Sequence, residues 1–135
     1  MKNRTDAIGW LVFAEADLQV ATTAKVSKKL KYAFLMFHLQ QCVEKTLKAV
    51  LVFFAIDFSK THDLEYLFSL MTKNKITIPV KVKEAQYLGQ YAVITRYPGD
   101  DIEVSKKEFT DAVKTSKTVL KWAKTIIQTK SDKLF

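Results

Sequence analysis

Apolar residues recur along this chain at the three-and-four-residue spacing of a helix face, and that spacing predicts five helical segments. The first covers about residues 6–26, with Leu11, Ala14, Leu18 and Ala21 on one stripe and Trp10 and Val20 widening it. The second, about 28–54, is apolar over most of its circumference: Leu35, Met36, Leu39, Val43, Leu47, Val50 and Phe54 line one side, Phe34 and Phe37 the other. A helix this apolar sits at the centre of a fold or under a partner. Asp57, Phe58, Ser59 and Lys60 break it. A short third helix then begins with Thr61 as N-cap and ends near Met71, with Asp63 and Glu65 complementing its dipole. After a connector, Pro79 is well placed to open a fourth helix running to about Arg96, and Tyr97, Pro98, Gly99 and Asp100 form the turn that stops it. Ser105 and Glu108 have capping-box spacing and open a fifth helix to about Lys130, its inner face formed by Phe109, Ala112, Ser116, Val119, Leu120, Ala123, Ile126 and Ile127. The pattern predicts an all-α fold, an antiparallel up-and-down four-helix bundle with one additional short helix.

Composition agrees with that reading. The 135 residues are the size of one domain, so 1–135 reads as a single unit able to bury a continuous core. Hydrophobic residues at 48% and charged residues at 27% describe a globular chain, and 3 Gly with 2 Pro supply too little turn chemistry for a β-sandwich. The single cysteine, Cys42, lies in the most apolar helix, where a thiol acts as a small core residue and forms no internal disulfide. Such usage fits a reducing cytoplasm. Glu15 and Asp17 interrupt the early apolar run, which lacks a small-residue cleavage site, so no secretory leader is read there. The stretch Val50–Ile56 ends at Asp57, far short of the roughly 18 apolar residues that span a bilayer, so no membrane anchor is expected.

The formal net charge of +8 comes almost entirely from lysine and favours acidic partners such as a nucleotide, nucleic acid or an acidic protein. For nucleic acid the signal is weak, because arginine, the better phosphate fork, occurs only at Arg4 and Arg96. Lys107, Lys114, Lys117, Lys121 and Lys124 fall on one side of the fifth helix, as a solvated face or as a ridge for an acidic surface.

Candidate chemistry concentrates in the second helix. His38, Gln41, Lys45 and Lys48 form one polar line, with Glu44 placed to orient Lys48 through an i,i+4 pair. The line reads as a groove for a phosphate-bearing ligand, as a solvent-facing strip, or as a buried network that fixes helix pairing. His62, between Thr61 and Asp63, reads as an anion ligand or proton donor, or as a surface imidazole at a helix cap. Arg96, in the last turn of its helix, serves a ligand or the helix dipole. Two histidines and one cysteine without close spacing argue against a metal site, and the isolated Gly9, Gly89 and Gly99 form no phosphate loop. No nucleophile elbow is present.

The order of these pieces resembles the HEPN domain, the higher eukaryote and prokaryote nucleotide-binding family of helical bundles. The matching marks are Trp10, Ala14, Asp17 and Leu18, then Phe37, Gln40, Gln41, Glu44, Lys45, Lys48 and Ala49, then Thr61, His62, Asp63 and Leu64, and finally Arg96, Tyr97 and Pro98. The resemblance implies a fold similar to the substrate-binding domain of kanamycin nucleotidyltransferase, a homodimer, and a separate minimal nucleotidyltransferase as partner. It implies nucleotide as ligand, no cofactor, and contact residues Gln41, Glu44, Lys45, Lys48, Thr61, His62, Arg96 and Tyr97. Many members are instead metal-independent ribonucleases or toxins that use an arginine followed four to six residues later by a histidine. Here no histidine follows Arg96, and the first after Arg4 is His38, which argues against an enzyme. A divergent ribonuclease site would draw on His62 and Arg96. The three functions expected are therefore a nucleotide- or substrate-binding accessory module, a divergent ribonuclease, and a helical protein-interaction module without ligand.

Overall fold

A computed structural model describes residues 2–27, 30–93 and 103–132, with side-chain surroundings described as far as residue 128. Among these residues all regular structure is helical: α1 spans Lys2–Thr23, α2 Tyr32–Phe53, α3 Leu64–Lys73, α4 Val80–Lys83, a 3₁₀ helix Glu84–Tyr91, and α5 Lys106–Asp132. The turn expected at Tyr97–Asp100 lies outside the described residues.

Helix α2 is the hub. Leu35, Met36, Leu39, Val43, Leu47, Val50 and Leu51 are buried on it, and α1 and α5 make its most extensive contacts. Tyr32 and Phe109 meet at the start of α2 and α5, while Phe54, Ile56, Trp122 and Ile126 line one cavity near their ends, so these two helices run parallel. Asp17 bonds to both His38 and Lys45 and Trp10 lies beside Lys48, which sets α1 antiparallel to α2. The α4 and 3₁₀ pair climbs back toward the start of α3, where Gln86 and Gly89 share a groove with His62 and Asp63. The result is the expected antiparallel bundle, with α3 as the additional short helix.

Local chemistry sets the element ends. The Glu108 N–H donates to Ser105 Oγ at 3.1 Å, and the Ser105 N–H to Glu108 Oε1 at 3.4 Å, closing the predicted capping box. Helices α2 and α3 both end in Schellman motifs. Ala55 N–H donates to Val52 O and Ile56 N–H to Leu51 O; Lys75 N–H donates to Thr72 O and Ile76 N–H to Met71 O. Ala55 and Lys75 hold φ of 56° and 60°, the left-handed conformation glycine usually supplies.

Two expectations are corrected here. The N-cap of α3 is Asp63, whose carboxylate accepts from the Tyr66 N–H at 3.2 Å, because the Thr61 hydroxyl is used by the Asp63 N–H at 3.0 Å. The predicted long fourth helix is one α-turn followed by a 3₁₀ helix. Its buried residues, Val82, Ala85, Leu88 and Tyr91, recur every three positions, the repeat that a 3₁₀ helix stacks on one face. The buried Cys42 behaves as the core residue expected of it, and burial pushes its thiol up to about 12, so it stays protonated and unreactive at neutral pH.

Candidate functional site

The polar line of α2 lies in the seam where α1 and the segment leading into α3 converge. Positions 38, 41, 45 and 48 share a face because three- and four-residue steps nearly complete helical turns. Opposite them, α1 carries Asp17 on a buried stripe that otherwise consists of Ala7, Leu11, Ala14 and Ala21. The Asp17 carboxylate is satisfied from both ends: Oδ1 lies 3.0 Å from His38 Nδ1, and Oδ2 accepts from Lys45 Nζ at 2.6 Å.

Beside Lys45 along α2, Glu44 forms a second and deeper node. Its side chain is 3% exposed and accepts from Lys48 Nζ at 3.0 Å, Gln40 Nε2 at 3.1 Å and Gln41 Nε2 at 3.5 Å, with His62 Nδ1 at 2.8 Å. Gln41 also donates to Gln40 Oε1 at 2.7 Å. Two backbone carbonyls from the approach to α3 join in, since Lys48 Nζ donates to Thr61 O at 3.0 Å and Gln40 Nε2 to His62 O at 3.3 Å. The segment is thereby stitched to the middle of α2. Its outer part is pinned by the Ser59 N–H donating to Tyr66 Oη at 3.1 Å, a bond that pulls the phenol below its ordinary pKa.

Lys48 is buried. Its ammonium sits between Glu44 and the Thr61 carbonyl, with the Trp10 ring centroid at 5.5 Å and that of Phe58 at 5.8 Å. Aromatic faces and a carboxylate spend its charge inside the fold. Lys45 differs: its side chain is 26% exposed, and after bonding Asp17 its ammonium keeps two N–H donors. His38 is 29% exposed and His62 68% exposed. In each the carboxylate engages Nδ1, and a carboxylate accepts only a proton-bearing nitrogen, which leaves Nε2 as the free edge of the ring. The two nodes thus leave three basic groups toward the surface, His38 and Lys45 on Asp17 and His62 on Glu44, each anchored to a buried carboxylate.

Of the eight contact candidates, Gln41, Glu44, Lys45, Lys48, Thr61 and His62 come together in or directly beside this network, while Arg96 and Tyr97 lie outside the described residues. Their roles divide. Lys45 and His62 reach the surface, whereas Glu44 and Lys48 form the internal scaffold and Thr61 contributes its carbonyl. Three residues were not on that list. His38 is a full member of the polar line. Asp17 had a signal, a single carboxylate at helical spacing on an apolar stripe, which requires an internal partner. Gln40 is fully buried and stands one position off the polar line, so helical spacing does not point to it.

On α5, Lys107 pairs with Asp111 at 3.7 Å and Lys124 with Glu15, while Lys114, Lys117 and Lys121 are exposed. Among the described residues no group of three or more His, Cys, Asp or Glu side chains is placed to hold a metal ion, and no helix is long and apolar enough to cross a membrane.

The family model of the HEPN domain matches residues 8–126, a stretch that contains Asp17, His38, the Glu44 network and the α5 capping box. No curated protein and no solved structure matches the chain.

Proposed function

The chain belongs to the HEPN domain family, and from that premise we propose that it is a nucleotide-binding module whose α1–α2 seam holds the ligand's phosphates. Membership supports a nucleotide-binding or ribonuclease-like helical module. The observation that carries the binding reading is the set of basic groups left toward the surface, His38, Lys45 and His62, each anchored by Asp17 or Glu44. Donors held in place by buried acceptors lose little side-chain entropy when an anion arrives. Charge-assisted bonds from an ammonium and imidazole edges suit phosphate oxygens.

The module acts as a homodimer beside a separate minimal nucleotidyltransferase, helping it select or position a nucleotide or substrate in the cytoplasm. The dimer reading is supported by α1, which leaves Val12 57%, Phe13 62% and Val20 44% exposed on the side away from its core stripe. An apolar ridge of that kind is usually covered.

A ligand selective for the native state stabilises it by about 2.7 kcal/mol at a hundredfold excess over Kd. Thermal melting with a panel of nucleotides at millimolar concentration is expected to show a rise of several degrees, and no rise with any nucleotide contradicts the reading. A second reading, a metal-independent ribonuclease, is favoured by the Glu44–His62 pair, which turns Nε2 toward solvent as a general acid or base would require. It predicts RNA cleavage in EDTA that disappears in His62→Ala. RNA left intact by the wild-type protein removes it.

A further inference from the structure

His62 has a second surroundings besides the seam. It also borders an open groove of about 540 Å³ between the start of α3 and the 3₁₀ helix, where Asp63, Glu65, Gln86 and Gly89 are further lining residues. That volume is within the roughly 300–1,000 Å³ of small-molecule clefts. The wall chemistry is the reverse of the seam's. Among the described residues no lysine or arginine lines it, and two carboxylates do, so in a chain of net charge +8 this is a poor place for phosphate. Asp63 uses one oxygen to cap α3, but Glu65 and Gln86 make no side-chain hydrogen bond among the described residues. Both are therefore available to a ligand. Gly89 leaves space beside it as well, since a Cβ built there meets nothing within 4 Å.

We propose that this groove takes the nucleobase of the nucleotide whose phosphates the seam holds, with the Glu65 carboxylate and the Gln86 amide selecting guanine. The inference rests on the nucleotide-binding reading and adds the ligand's other end. A carboxylate offers two adjacent acceptors and no donor, and guanine offers two adjacent donors, N1–H and the N2 amine. The Gln86 amide N–H group suits guanine O6. Adenine and cytosine each set a ring acceptor beside their amine, which a carboxylate opposes. His62, tied to Glu44 on one side and bordering the groove on the other, marks where base and phosphate ends meet.

The test measures binding of inorganic triphosphate, GTP, inosine triphosphate and ATP to the full chain and to Glu65→Ala and Gly89→Leu. A Cβ at Gly89 meets nothing within 4 Å, so the backbone there accepts a side chain, and leucine adds bulk beside the groove. GTP is expected to bind about tenfold or more tighter than triphosphate, ATP or inosine triphosphate, which lacks the N2 amine. Each variant is expected to bring GTP down to the level of triphosphate while triphosphate affinity stays unchanged. Equal affinity for all four ligands, or a preference for ATP, overturns the base site and leaves the phosphate seam standing. Absence of binding by any of the four, triphosphate included, overturns the seam reading itself. If one variant fails to fold, the other and the wild-type ligand order still decide.

Discussion

Replacing Glu44 with alanine is expected to cost about 3–5 kcal/mol of stability, the range for breaking a buried ion pair by removing one partner. Four donors converge on this carboxylate, and Lys48, its side chain only 9% exposed, would keep just the Thr61 carbonyl. In a domain of this size that loss lowers the melting temperature by about 10–20 °C. The approach to α3 should loosen with it, because the His62 ring and the carbonyls of Thr61 and His62 are all held through Glu44 or its partners. Hydrogen exchange would show this as lost protection around residues 61–64. The double variant Glu44→Leu with Lys48→Met should recover much of the stability, since well-packed apolar groups often replace a buried pair at little cost. Denaturant unfolding of the three proteins checks both statements; a change under about 1 kcal/mol for Glu44→Ala would show that the network is not a structural anchor.

Lys45→Ala has the opposite signature, a small effect on folding and a large one on ligand. Its ion pair with Asp17 is a quarter exposed on the lysine side, so its loss costs about 1 kcal/mol or less, and Asp17 retains His38. A charge-assisted bond to phosphate contributes about 1.5–3 kcal/mol, which makes nucleotide binding roughly 10- to 150-fold weaker. Calorimetric titration beside chemical unfolding separates the two quantities. Lys48→Ala serves as the contrast: it should destabilise the fold strongly, because that ammonium faces Glu44 and two aromatic rings and not solvent.

The two lysines show what a single sequence reveals and what it withholds. Their spacing from His38 and Gln41 puts them on one face of α2, and that much is readable from helical geometry. Which one is buried depends on Trp10 and Phe58, delivered by α1 and by the approach to α3, and no local pattern encodes that meeting. Features set by neighbours in sequence were more legible. The Ser105–Glu108 capping box and the inner face of α5 follow from spacing alone. The α3 cap lies two residues beyond the expected Thr61 because Thr61 and Asp63 are both competent caps, and the Thr61 hydroxyl instead accepts from the Asp63 N–H. The fourth helix departs from the expected α-helix, and the sequence carries the reason: Val82, Ala85, Leu88 and Tyr91 repeat every three residues, a tighter period than an α-helix. Asp17 shares the helical spacing of an apolar stripe, but its two partners, His38 and Lys45, are set by the packing of α1 against α2.

The most direct test of the seam uses the fact that His38 and His62 are the only two histidines in the chain. Their imidazole resonances can be followed by nitrogen–proton NMR while a nucleoside triphosphate is added. If the ligand's phosphates sit on His38, Lys45 and His62, both rings shift together along one saturable curve, and Lys45→Ala moves that curve to higher concentration. A nucleotide that raises the melting temperature while both imidazoles stay unmoved would place the ligand elsewhere and contradict the seam as the binding site.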